Sequence, residues 1–521
     1  MKRLFLSIAF CAGFNLGGAA TAIAECGNFE PPKMDEVQLR NEYSGAVLRI
    51  TIGDGDIWGT GYLIDAEHGF VLTDKHVIET ATSKEAIHAE SPVIPGEKTD
   101  AKVVSTIDAP TDLALLQLSH PLPSTVHAVD IVLREPNQST TLYVMNYPKI
   151  GDEKAVFHEQ AVHVIAVNGN IEVQQSLSTG GDSGGPLIDP SGSSLGTCRA
   201  QIGIGGTAAR YVPMSDAQNL LNLIPMSTRV KALDERLKSG DLKSAEFAEM
   251  LRKTPDRPTN LELYTWGKLI SKNPALYDDR AKHLIQCPLV KALMHRGMED
   301  AVPPLYPIAD ANDVGQAYVR IANREALLGR PITSLASSRT ALAAYKSTGN
   351  REGKIAAQLV LAQAHLQSNN NVAAQKNISY VLSQKKYLSP AEEGKAYYTA
   401  AAISENKGSM HAAISQYDTA SELFIKSGDY VSAANALTNL AEVQFSKGRY
   451  AEAQESVSQA VALSRQAGNT AAESRSLYDL AKIQSAAGLT SKSFDTLQDY
   501  LNVAPSGPHA NEAKAILDHA K

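Results

Sequence analysis

Between residues 46 and 205, apolar positions come in short runs broken repeatedly by Gly, Pro, Asn and Asp. Ala46-Val47-Leu48-Arg49-Ile50-Thr51-Ile52 opens the series, and Gly53-Asp54-Gly55 ends its first run. Runs of this length, punctuated so often, predict the strands of barrels rather than helices. The spacing turns helical over Asp216 to Ile224. From Met226 onward Lys, Glu, Ala and Leu recur at helical intervals and turn residues thin out. Residues 226–310 predict several helices with no motif attached, and Pro303-Pro304 and Pro307 mark a boundary near their end.

The remainder, 311–521, is repetitive. Gly329, Asn369, Gly408, Gly448 and Gly488 recur with a period of about 40 residues, each between Ala-rich helical runs. A second mark, Gly349-Asn350, Gly428-Asp429 and Gly468-Asn469, falls midway and ends the second helix of each pair. In the clearest unit, small residues at Ala441, Ala453 and Ala460 let helices approach, Gly448 turns the corner, and Tyr450 is expected to fill the gap. This pattern resembles a tetratricopeptide-type solenoid in a longer-period form. The terminal unit, with Pro505 and Pro508, departs from it and reads as a cap.

With 521 residues, the chain has room for two to four domains, each with its own core. A net charge of −7 from 49 basic and 56 acidic residues, without a basic run, argues against nucleic acid or an anionic membrane as partner. Met1-Lys2-Arg3 before the apolar Leu4 to Ala24 reads as a secretory signal (1–24) cleaved after Ala22-Ile23-Ala24. Asn15 and interspersed glycines weigh against a membrane anchor. Glu25 is not the small residue that lipidation of Cys26 would require. No later segment is apolar for long enough to span a bilayer. The expected location is therefore periplasmic or secreted. Removing the signal leaves Cys26, Cys198 and Cys287, an odd number compatible with one pair and one thiol, the pair being undetermined.

The candidate chemistry centres on Gly180-Gly181-Asp182-Ser183-Gly184-Gly185-Pro186-Leu187. Glycines permit positive φ and close backbone approach, so the loop can aim its amides at a bound group. Ser183 is the candidate nucleophile, with the N–H groups of Gly181 and Ser183 as candidate oxyanion donors. Upstream, Val71-Leu72-Thr73-Asp74-Lys75-His76-Val77 places a histidine after an apolar run. Thr111-Asp112-Leu113-Ala114-Leu115-Leu116 places an aspartate before another. A serine hydroxyl needs a base, neutral His76 can act as one, and Asp112 can fix its tautomer. Gly181-Asp182-Ser183-Gly184-Gly185 also fits the nucleophile elbow of α/β-hydrolases. That motif requires a helix after the serine and the order Ser, Asp, His; here Gly184-Gly185-Pro186 breaks any such helix and both partners come first.

These segments, together with Gly59-Thr60-Gly61-Tyr62-Leu63-Ile64, Asn146-Tyr147-Pro148 and Tyr211-Val212-Pro213-Met214-Ser215-Asp216, resemble the trypsin-like serine peptidases. Within them the chain is most similar to the disulfide-free bacterial branch that includes HtrA-type proteases. The resemblance covers roughly residues 45–225 and implies two six-stranded β-barrels with the active site between them, closed by a C-terminal helix. By the same resemblance Leu177 floors the substrate pocket and Cys198, Arg199 and Ala200 line it. No acid at 177 favours a small or apolar side chain, whereas Arg199 facing the pocket would favour acidic ones. No β-rich PDZ-like module follows, a departure from the fuller HtrA arrangement.

Other constellations weigh less. His158 and His163 are five apart, not the four a zinc helix needs, and lie in strand-like sequence. Asp108 competes with Asp112, but only Asp112 directly precedes the apolar run. Asp182 matches a position that in digestive peptidases receives a new N-terminus, yet no activation sequence is visible. The sequence therefore predicts a signal (1–24), an entry segment (25–44), an all-β double-barrel peptidase domain (45–225), a helical connector (226–310) and an all-α repeat region (311–521). The expected function is serine endopeptidase through His76, Asp112 and Ser183, without metal or organic cofactor. Its partners are a protein or peptide substrate and a protein bound by the repeats. The alternative is a silent peptidase-fold scaffold whose repeats alone bind.

Overall fold

Between residues 46 and 205 the short apolar runs become strands. The computed structural model describes residues 29–519 apart from 30, 32, 54–57, 80–85, 92–97, 135, 137–140, 148–157, 168–169, 175–181, 203–207, 253–256, 306–308, 506 and 508. The signal-peptide expectation lies outside them.

Six strands form the first barrel: β1 (Val47–Ile52), β2 (Trp58–Asp65), β3 (Phe70–Asp74), β4 (Ile87–Glu90), β5 (Lys98–Ile107) and β6 (Leu113–Leu118). They close antiparallel in the order β1-β2-β3-β6-β5-β4. The unbroken Leu-Ala-Leu-Leu of β6 is buried on both faces, while Lys- and Thr-rich β5 is largely exposed. After β7 (Asp130–Ile131), the second barrel comprises β8 (Leu142–Asn146), β9 (His158–Val167), β10 (Ile171–Gln174), β11 (Pro186–Ile188), β12 (Ser193–Ile202) and β13 (Ala208–Pro213). Pairing of β11 with β12 closes this ring, and β7 adds to β12 in parallel. Val144, Val162, Val164, Ile171, Val173, Leu187 and Tyr211 fill it.

Helices cover the barrels. Two precede or interrupt the first, α1 (Glu36–Tyr43) and α2 (Lys75–Ile78); six follow the second, α3 (Gln218–Leu221), α4 (Thr228–Ser239), α5 (Ser244–Met250), α6 (Asn260–Lys272), α7 (Asp279–Leu284) and α8 (Val290–His295). The segments read from sequence as entry and connector do not stand apart. Phe29, Leu39 and Tyr43 share one apolar cluster with the first barrel and with Val230, Phe247, Trp266 and Leu293. Buried polar groups fasten this layer. Asp234 accepts from Trp266 Nε1 (3.0 Å) and Tyr277 Oη (2.8 Å). Arg296, 1% exposed, donates to the carbonyls of Pro258 (2.8 Å), Leu251 (2.9 Å) and Phe29 (3.4 Å). Its burial pulls the guanidinium pKa down to about 10 against the charge of Asp130. Burial pushes buried Asp130 up to about 6, opposed by Arg296 and Arg257. Cys287 is disulfide-bonded, and Cys198 is a buried free thiol.

Contacts divide the chain into two units, the larger running to Tyr318 and the other from Val319 onward. Helices α9 (Ala311–Leu327), α10 (Pro331–Ser347), α11 (Arg351–Gln367), α12 (Asn371–Ser383), α13 (Pro390–Asn406), α14 (Met410–Ser427), α15 (Tyr430–Ser446), α16 (Tyr450–Gln466), α17 (Thr470–Ala486), α18 (Thr490–Val503) and α19 (Ala510–His519) carry the repeats. Every residue of the first periodic mark has positive φ, Asn369 (57°) included, as do the midway glycines Gly349, Gly428 and Gly468. The residue after each midway glycine caps the next helix. Asn350 Oδ1 accepts from the Gly353 amide (2.8 Å), Asp429 Oδ1 from Ser432 (3.1 Å) and Asn469 Oδ1 from Ala472 (2.8 Å). Ala441, Ala453 and Ala460 are fully buried. Tyr450 differs from expectation: it is 40% exposed, its ring 5.6 Å from that of Phe445, because it starts a helix at the rim of the stack.

Candidate active site

Position 184 fixes the turn that carries Ser183. Gly184 has φ +88°, and a Cβ there would lie 1.9 Å from the Thr60 carbonyl oxygen and 2.4 Å from Thr73 Oγ1. Only glycine lets the turn settle so closely on β2 and β3. The Ser183 carbonyl accepts from the Thr60 amide (2.8 Å), and Thr73 Oγ1 donates to the Thr60 carbonyl (2.7 Å). Gly61 pairs with Thr73 in the barrel, so the serine turn docks where β3 delivers His76 three residues later. The Gly184 amide donates to the Cys198 carbonyl (2.7 Å) and that of Gly185 to the Asp182 carbonyl (3.1 Å).

Asp112 is placed by its backbone. It takes φ +57°, rare for a side chain other than glycine, and such conformations concentrate at functional sites. Its amide donates to the Asp108 carbonyl (3.2 Å) and its carbonyl accepts from the Lys75 amide at the start of α2 (3.0 Å). Its carboxylate then lies 2.7 Å from His76 Nδ1. A carboxylate there keeps the proton on Nδ1 and leaves Nε2 to accept one. Asp108 instead pairs with Lys75 Nζ (2.7 Å) at the surface.

The structure thus brings His76 and Asp112 into contact, with the Ser183 turn against the same strand ends. Among the described residues no hydrogen bond joins the His76 ring to Ser183. Gly181 and Leu177 lie outside the described residues, and of Ala200 only the backbone, in β12, is described. Cys198 turns into the second barrel, beside Tyr211; burial pushes its thiol up. Arg199 is the partly exposed neighbour on the same strand. His158 and His163 both lie on β9. One residue had no role assigned from sequence: Asp74, fully buried at the end of β3. An acid closing an apolar strand was the visible signal.

Residues 59–196 match the trypsin-like peptidase domain family. The chain carries a trypsin-like peptidase domain. Tetratricopeptide repeats match over residues 392–466 and 432–506. Among solved structures, a serine endoprotease from Yersinia pestis is similar at 21% identity over 36% of this chain, with a TM-score of 0.30. The chain spans 66% of that protein's length. A protease from M. tuberculosis in its active form is similar at 19% identity over 39% of this chain and 92% of its own, with a TM-score of 0.30. These are partial likenesses. No curated protein matches the sequence.

Proposed function

We propose that this trypsin-like domain is an exported serine endopeptidase and that the helical repeats hold a protein or peptide partner. The observation that carries the reading is the 2.7 Å contact of Asp112 with His76 Nδ1, beside a serine turn that only glycine permits. Ser183 Oγ attacks the scissile carbonyl, His76 Nε2 takes its proton and returns it to the leaving amine, and Asp112 stabilises the imidazolium between those steps. Ser183 also offers its amide to the developing oxyanion, since the amides of Gly184 and Gly185 already donate to the Cys198 and Asp182 carbonyls. Gly181 is the second expected donor. One such donor contributes roughly 3–4 kcal/mol. Arg199 on β12 borders the expected substrate pocket.

The second reading, a silent scaffold, draws on the missing His76–Ser183 hydrogen bond. Catalytic hydrogen bonds are commonly loose before substrate arrives, which favours the first. A fluorophosphonate probe discriminates. Labelling of wild type but not of Ser183→Ala supports a working nucleophile, whereas no labelling of folded wild type rejects the peptidase. Digestion of a peptide library then reads the cleavage preference. A leader-dependent shift in mass between cell fractions tests export.

A further inference from the structure

A second carboxyl group lies behind the candidate pair. Asp74 has no solvent exposure, and among the described residues neither of its oxygens has a hydrogen-bond donor. The neighbouring Gly184 amide gives its hydrogen to the Cys198 carbonyl (2.7 Å), and Lys75 Nζ reaches away to Asp108 (2.7 Å) and Glu79 (3.5 Å). Asp74 Oδ2 stands 4.0 Å from His76 Nδ1, the same atom that Asp112 Oδ2 meets at 2.7 Å. Two carboxyl groups therefore face one ring nitrogen that carries one hydrogen.

An ionised carboxylate so placed would be desolvated, without a donor, and repelled by Asp112, so the proton stays on. Burial first and Asp112 second hold the Asp74 carboxyl well above its usual range, while the Gly184 amide and Arg199 pull the other way. The groups facing it are His76 on α2, Asp112 before β6, Tyr62 on β2, Cys198 and Arg199 on β12, and Tyr211 on β13. Burial raises the Tyr62 and Tyr211 phenols and the Cys198 thiol, so these stay neutral. Arg199 alone among the facing groups named offers a fixed positive charge.

We propose that Asp74 is a positioning residue that keeps its proton while the site works. Neutral, it leaves His76 Nδ1 to Asp112. Ionised, it sets a second negative charge beside Asp112 and competes for the ring, so activity declines on the alkaline side. The inference rests on the peptidase reading for its effect on rate, but not for its effect on the His76 ring.

The experiment compares wild type with Asp74→Asn, which is close in shape and cannot ionise. Fluorophosphonate labelling of Ser183 is followed from pH 6 to 10, each protein normalised to its own rate at neutral pH. In parallel, the ring nitrogens of His76 are followed by NMR in ¹⁵N-histidine-labelled full-length protein, with His76→Gln giving the assignment. The expected result is an alkaline decline of roughly tenfold in wild type, the size of one lost hydrogen bond, absent in Asp74→Asn. The His76 signals should show an alkaline step in wild type only. Superimposable pH profiles overturn the proposal. If neither protein labels at any pH, the peptidase reading fails, and the NMR titration alone decides Asp74. If Asp74→Asn does not fold, the wild-type NMR titration decides, and a flat alkaline response overturns the inference.

Discussion

The two units of this chain hold their residues in place by opposite means. In the repeat unit, the same small residue, turn and cap return about every 40 positions, and each helix packs on the next in sequence. In the barrel unit, β1 closes on β4, β11 on β12, and Arg296 gathers carbonyls from residues 29, 251 and 258. A position in the repeats has counterparts; a position in the barrels has none. Two glycines with nearly the same backbone show the consequence. Gly448 (φ +73°) has nothing within 4 Å of where its Cβ would stand, whereas Gly184 (φ +88°) has a carbonyl oxygen at 1.9 Å.

Substitutions can break that contrast, starting with the largest effect. Asp112→Asn should lower kcat by about 10⁴-fold by reversing the His76 tautomer, with melting nearly unchanged; a loss under tenfold in peptide-substrate turnover would deny Asp112 its role. Gly184→Ala should displace the Ser183 turn and reduce fluorophosphonate labelling by at least about 10³-fold, as loss of an oxyanion donor alone can do. Retained labelling would mean that the turn tolerates its Cβ. Arg296→Ala leaves three buried carbonyls and Asp130 without their cation, and should destabilise the barrel unit by about 3–5 kcal/mol. Calorimetry should show this as a shift in one transition with the repeat transition unmoved, and a shift in both would show that the units melt together.

Proton linkage at Asp130 gives a smaller effect. Its folded pKa of about 6 exceeds the unfolded value, so folding takes up a proton between pH 4 and 6. Stability at this site therefore falls as pH rises through that window and is level above it, by at most about 3 kcal/mol. Denaturant titrations of wild type and Asp130→Asn at pH 4.5 and 7.5 should differ in this sense; equal pH responses would remove Asp130 from the balance. Smallest of all, Gly448→Ala should cost the repeats only about 1 kcal/mol, the strain of positive φ without a clash, measured by urea unfolding of the full chain.

The contrast also explains what the sequence discloses. Periodicity announces the repeats because the contacts are local, and G-N or G-D marks its turns because glycine takes αL while the next side chain caps. The strand runs point to barrels, the resemblance carried by the segments around His76, Asp112 and Ser183 implies two of them, and the barrels are there. The sharing of one core by residues 29–43, the first barrel and residues 226–314 left no mark, since apolar helix faces do not state what they cover. Nor did Arg296, whose partners are backbone carbonyls that every residue possesses. Asp74 stood in plain view beside His76, but its meaning depends on burial and on the absence of a donor, which only the assembled barrels create.

Arg296 has a consequence for the order of events at the ribosome. Both barrels are fully synthesised by residue 213, yet the guanidinium that joins the chain's beginning to its middle is added some eighty residues later. At usual elongation rates that leaves several seconds during which nascent strands await their cover. A partly made chain should then depend on holding factors until Arg296 has emerged.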